Sequence, residues 1–126
     1  MVRILVVDDD VDVGNTIVAM LAGVDFEVVL ESDPWHIQKT LSVEAFDLVI
    51  SDIFMPEFDG FELVQKVKEI NPLTRVLLMT GGTRHFPSGS RALTELTDSS
   101  EFLGANGVIS KPFRKQELID QVRKLL

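Results

Sequence analysis

Three carboxylates stand in a row at Asp8, Asp9 and Asp10, directly behind the apolar run RILVV (3–7). A further acid, Asp52, follows the run DLVIS (47–51); Thr80 follows RVLLM (75–79) and Lys111 follows GVIS (107–110). Converging carboxylates repel unless a cation compensates them. Oxygen donors without His or Cys point to a hard ion such as Mg²⁺, which completes its shell with waters and a phosphate oxygen. Acids, a hydroxyl and a lone ammonium are the equipment of phosphoryl transfer, where catalysis is mainly positioning and charge neutralisation. In that chemistry Asp52 is the candidate nucleophile, forming an acyl phosphate. Lys111 would ion-pair with a phosphoryl oxygen, the Thr80 hydroxyl would bind another, and Gly81 leaves room for the group.

Those residues act together only if the fold brings them to one place. The runs RILVV, FEVVL (26–30), DLVIS, RVLLM and GVIS are short and rich in Val, Ile and Leu. Most lack strict alternation, which suits parallel strands buried on both faces. Between them apolar residues recur at helical spacing. Val13, Ile17, Met20, Leu21 and Val24 line a first helix, Leu63, Val64, Val67 and Ile70 a third, and Leu118, Ile119, Val122 and Leu125 the last. SDPW (32–35) reads as the capped start of a second helix running to about Leu41. Residues 88–103 give a weaker fourth, because TDSS (97–100) is poor helix material. Five alternations of strand and helix predict a doubly wound α/β domain with right-handed crossovers. In such a sheet ligands bind beyond the carboxyl ends of the strands, where the acids, Thr80 and Lys111 all fall. Asp10 then begins the first helix, where it caps free N–H groups and meets the positive end of the dipole.

At 126 residues the chain suits one domain spanning 1–126. Twelve Lys and Arg against twenty Asp and Glu leave a net charge of −8, which argues against direct DNA binding. The absence of cysteine excludes disulfides and thiolate chemistry. No run is long enough for a signal-peptide core or a membrane span, so a cytoplasmic location is expected.

The stretches ILVVDDD (4–10), DLVISDIFMPEFDGFELV (47–64), VLLMTGG (76–82) and ISKPF (109–113) resemble the receiver domain of two-component response regulators. The likeness runs from end to end and carries four motifs in order. It implies a five-stranded parallel sheet in the order 2-1-3-4-5 with five helices. It also implies that Asp52 is the phosphoacceptor, served by a histidine kinase or histidine phosphotransfer protein. Asp9, Asp52 and the main-chain carbonyl of Phe54 would bind Mg²⁺ directly, with Mn²⁺ as a substitute, and Asp8 would act through a metal-bound water. Thr80 and Lys111 match the switch hydroxyl and the phosphate-pairing lysine, and Lys111–Pro112 is often cis in the family. Such a domain promotes its own modification and is no enzyme with external turnover. A downstream protein would dock on the fourth helix, fifth strand and fifth helix. Dimerisation through the last two elements stays open.

The chain departs from the family pattern at three places. Val108 stands where an aromatic ring usually swings inward, leaving Phe86 and Phe102 as substitutes. Thr80 and Lys111 are 31 positions apart, with extra length in GGTRHFPSGSR (81–91), a pattern shared with some stand-alone receivers. Phe54 and Gly82 flank the expected path of the attacking water. A bulky, apolar Phe54 offers nothing to orient that water, so a long-lived phosphoryl group is expected.

Taken singly, each residue has an ordinary reading. The acids would be a solvated loop with a helix cap, Asp52 a turn residue, Thr80 a loop hydroxyl and Lys111 a surface lysine. Trp35, His36 and His85 read as structural or surface residues, and Lys66, Lys68, Arg123 and Lys124 as solvated helix faces. Two other functions compete with the switch. A haloacid-dehalogenase-type phosphatase needs a second Asp two residues after the nucleophile, where this chain has Phe54. An unphosphorylated receiver-like binding module would be marked by loss of an acid, the acceptor or the lysine, and all are present.

Overall fold

The computed structural model describes residues 1–53, 60–81 and 104–126. In chain order these form β1 (Val2–Val7), α1 (Val11–Leu21), β2 (Phe26–Glu31) and a 3₁₀ turn (Pro34–His36). Next come α2 (Ile37–Val43), β3 (Leu48–Asp52), α3 (Gly60–Ile70), β4 (Arg75–Gly81), β5 (Gly107–Lys111) and α4 (Lys115–Leu125). The helix expected over 88–103 lies outside the described residues, as do Phe54, Gly82, His85, Phe86 and Phe102.

All five strands pair in parallel in the order β2-β1-β3-β4-β5. Alternate side chains enter two separate cores, one on each face of the sheet. On one face Leu5, Val7, Val49, Val76 and Leu78 pack with Ile37 and Leu41 of α2 and Leu63, Val64 and Val67 of α3. On the other, Ile4, Val6, Ile50, Leu77, Met79 and Ile109 pack with Ile17 and Leu21 of α1 and Leu118, Ile119 and Val122 of α4. Burial on both faces explains the unbroken apolarity of the strand sequences. It also leaves the carboxyl ends of the strands as the place where polar side chains can gather.

Local chemistry fixes the entry to α1. Asp10 is its N-cap, and its Oδ1 accepts from the backbone N–H of Asp12 (3.0 Å) and Val13 (3.3 Å). The second helix differs from its expected form. The Asp33 side chain accepts from Trp35 N–H at 3.0 Å, and the following turn is 3₁₀ before seven residues of α-helix. Ile70, inward by its helical spacing, is 36% exposed at the end of α3.

Lys68 also departs from expectation. Its ammonium donates to Thr74 O (2.6 Å) and Asn106 Oδ1 (2.9 Å), and Asn106 Oδ1 also accepts from Val76 N–H at 2.9 Å. Lys68 therefore ties α3 to β4 and to the approach to β5. Partial burial, followed by the nearby Arg75 charge, lowers its pKa.

Candidate functional site

The strand ends are longer than the apolar runs that announced them. β3 runs on to Asp52, β4 through Thr80 and β5 to Lys111, so each polar residue is held by ladder hydrogen bonds. The register sets Asp52 opposite Met79, Thr80 opposite Ser110, and Gly81 opposite Lys111. Lys111 then reaches over the end of β4. Its Nζ donates to Asp52 Oδ2 at 2.8 Å and lies 3.8 Å from Asp8 Oδ2.

Asp8 is the most confined of these acids, with 1% of its surface exposed. Its Oδ1 accepts from Asp10 N–H at 2.9 Å. Its Oδ2 is buried and has no hydrogen-bond partner, the Lys111 ammonium being within ion-pair range but too far for a hydrogen bond. Burial pushes its pKa up to about 6, against the Asp10 N–H bond and the Lys111 charge, which lower it; the Asp52 and Asp9 charges raise it further. Asp9, half-buried, follows Asp8 beyond the end of β1. Among the described residues no three His, Cys, Asp or Glu side chains already converge as a cation cage. In this arrangement the Lys111 ammonium occupies the position of positive charge beside Asp52.

Thr80 is fully buried, and its Oγ1 donates to Ser110 Oγ at 3.3 Å. Val108 is half-buried against the α2–α3 core. The Lys111–Pro112 peptide is cis. Gly60 begins α3 directly beneath the site, where its N–H donates to Ile53 O at 2.7 Å. A Cβ on Gly60 would stand 2.8 Å from Ile53 Cα and 3.0 Å from Asp52 O, so only glycine allows the helix this close to the strand end. A groove of about 380 Å³ between α2 and α3, lined by Leu41, Phe46, Val67 and Thr74 among others, contains none of these residues.

The structure thus brings together Asp52, Lys111 and Asp8, with Asp9 beyond the end of β1 and Thr80 in β4. Ser110 was not singled out in the sequence. The clue was available: it sits at the same height as Thr80 once the strand ends are aligned.

A family model described as the response regulator receiver domain matches residues 4–123. The chain belongs to the response regulator receiver domain family. Response regulator receiver protein CpdR of Brucella abortus is 31% identical over the whole of this chain and 98% of its own length. Transcriptional regulatory protein ZraR of Klebsiella oxytoca is 39% identical over 63% of this chain, which spans only 18% of that protein. The regulatory protein VanRc of Enterococcus gallinarum is matched over about half its length, at 27% identity. Among solved structures, the chemotaxis protein CheY4 of Vibrio cholerae superposes with a TM-score of 0.83 at 25% identity. That match covers 100% of this chain and 99% of the other. NtrX of Brucella abortus gives a TM-score of 0.85 at 27% identity, with this chain spanning 27% of it. The receiver domain of this chain is thus a two-component signalling module. Among its described residues no helix is long and apolar enough to cross a membrane.

Proposed function

We propose that this receiver domain is a phosphorylation-operated switch whose acceptor is Asp52. A carboxylate oxygen of Asp52 attacks the phosphorus of a phosphohistidine on a histidine kinase or phosphotransfer protein. The new O–P bond forms as the P–N bond breaks, and the leaving imidazole takes a proton from solvent. The product is an acyl phosphate on Asp52 and an unmodified histidine on the donor.

The observation that carries this reading is the Lys111 ammonium 2.8 Å from Asp52 Oδ2 and 3.8 Å from Asp8 Oδ2. That ammonium, between two acids, holds the Asp52 carboxylate aligned as a nucleophile. It can then follow the charge on to a phosphoryl oxygen, as a charge-assisted hydrogen bond. The Thr80 hydroxyl stands one residue beyond Met79, the register partner of Asp52, and supplies a second donor.

The orphaned, buried Asp8 Oδ2 and the all-oxygen donor set fit a hard divalent cation. Asp9, Asp52 and the Phe54 main-chain carbonyl would bind Mg²⁺ directly, or Mn²⁺ in its place, with Asp8 holding a bound water. The ion would neutralise charge on the phosphoryl oxygens during transfer. Turnover of an external substrate forms no part of this reading. The output is an altered surface over residues 81–113, read by a downstream protein.

An acyl phosphate has a diagnostic reactivity. Domain labelled from acetyl phosphate should lose its label to hydroxylamine and retain a hydroxamate at Asp52. A hydroxylamine-resistant label would place the phosphoryl group on another kind of residue and overturn the reading.

A further inference from the structure

Thr80 is wholly removed from solvent at the end of β4, and a buried hydroxyl costs free energy unless it finds a partner. It finds one on the next strand. Thr80 and Ser110 are register partners across the β4–β5 pair, and Thr80 Oγ1 donates to Ser110 Oγ at 3.3 Å. That bond is long for a pair of hydroxyls, whose usual separation is about 2.7–2.8 Å. It is therefore weak, and it joins two uncharged groups.

Strand alternation adds a second fact. Leu78 and Val108, two residues before Thr80 and Ser110, belong to the α2–α3 side of the sheet. Ile50 and Ile109, two residues before Asp52 and Lys111, belong to the α1–α4 side. The two hydroxyls thus start from the face opposite the Asp52–Lys111 pair. Thr80 must turn across the sheet end before it can meet a group carried by Asp52.

We propose that Ser110 is a positioning residue that holds the Thr80 hydroxyl off the acceptor in the resting domain and releases it when a phosphoryl oxygen arrives on Asp52. The inference rests on the reading of Asp52 as phosphoacceptor and Thr80 as the hydroxyl that meets the phosphoryl group. The exchange is favourable because the weak hydroxyl pair gives way to a charge-assisted bond, which is roughly twice as strong. Ser110 is itself exposed, so the released hydroxyl changes the surface at the end of β5. This supplies a route from Asp52 to solvent in a chain whose Val108 has no ring to swing.

Beryllofluoride with Mg²⁺, a tetrahedral mimic of the phosphoryl group, tests this on the full chain, with binding read by ¹⁹F NMR. Ser110→Ala removes the competing partner, so it should bind the mimic about three- to tenfold more tightly than the native chain. Ser110→Thr keeps a hydroxyl and should stay close to native affinity. In a Thr80→Ala background, Ser110→Ala should change nothing, a coupling that a merely structural Ser110 would not show. An unchanged affinity in Ser110→Ala, or an equal change with and without Thr80, overturns the inference while leaving Asp52 as acceptor. A native chain that takes up neither beryllofluoride nor a phosphoryl group overturns the underlying reading and this one with it.

Discussion

Lys111 Nζ sits 2.8 Å from Asp52 Oδ2 although β3 and β5 are not neighbours in the sheet. The lysine spans the end of β4 to reach the acid, and it reaches no other carboxylate as closely among the described residues. Its position links the cation-seeking acids of β1 to the candidate acceptor on β3.

Replacing Lys111 by Met keeps much of the side chain's bulk and removes the charge. Loss of a hydrogen bond to a charged group costs about 1.5–3 kcal/mol. Lys111→Met should therefore slow phosphoryl uptake from acetyl phosphate by roughly ten- to hundredfold. Time-resolved intact mass gives the rate, and an unchanged rate would remove Lys111 from the transfer step.

Asp8 makes the fold respond to pH in an unusual direction. Its pKa is pushed up to about 6 in the folded chain, from 3.8 as an ordinary Asp. Between those values the folded state holds a proton that the unfolded state has lost. Metal-free stability contributed by this residue should fall as pH rises from about 4 to about 6, then level off. The total is about 3 kcal/mol. Denaturant unfolding in chelator should show this as a difference between the native chain and Asp8→Asn, with the variant more stable at pH 7. Added Mg²⁺ should stabilise the native chain more at pH 7.5 than at pH 5, because protonated Asp8 accepts poorly from a metal-bound water.

Asp10 has a different task from its two neighbours. Its side chain caps α1, while its N–H, which any residue would supply, binds Asp8 Oδ1. Asp10→Ala should cost about 1 kcal/mol of stability and leave Mg²⁺-dependent phosphorylation in place. Loss of phosphorylation in a folded Asp10→Ala chain would make it part of the cation site.

Gly60 supports the acceptor strand from below. An added Cβ would press on Ile53 Cα and Asp52 O, so Gly60→Ala should destabilise by about 1–3 kcal/mol and slow phosphorylation. Gly23→Ala is a useful contrast: its Cβ would meet nothing within 4 Å, but its φ of +82° strains any side chain. Stability should fall there without effect on the transfer rate.

Much of this was legible in the sequence because it depends on local pattern. Unbroken Val, Ile and Leu runs announced strands covered on both faces, and the residue after each run was the one the sheet delivers to its carboxyl end. Asp10 was readable as a cap because capping spans only three residues. The misreadings share a cause in long-range contact. Lys68 reads as a solvated lysine in sequence, since nothing local shows that Asn106, 38 positions away, waits for it. Ile70 keeps helical spacing but is the last residue of α3 and is partly exposed. Ser110 gained meaning only from the β4–β5 register, which places its hydroxyl beside Thr80.

Intact mass after incubation with acetyl phosphate and Mg²⁺, for the native chain and Asp52→Asn, decides whether Asp52 is the acceptor. The native chain should gain one phosphoryl group, the variant none, and chelation of Mg²⁺ should suppress the gain. Equal phosphorylation of both chains, or none on the native chain even with a phosphorylated histidine kinase as donor, would contradict Asp52 as the acceptor.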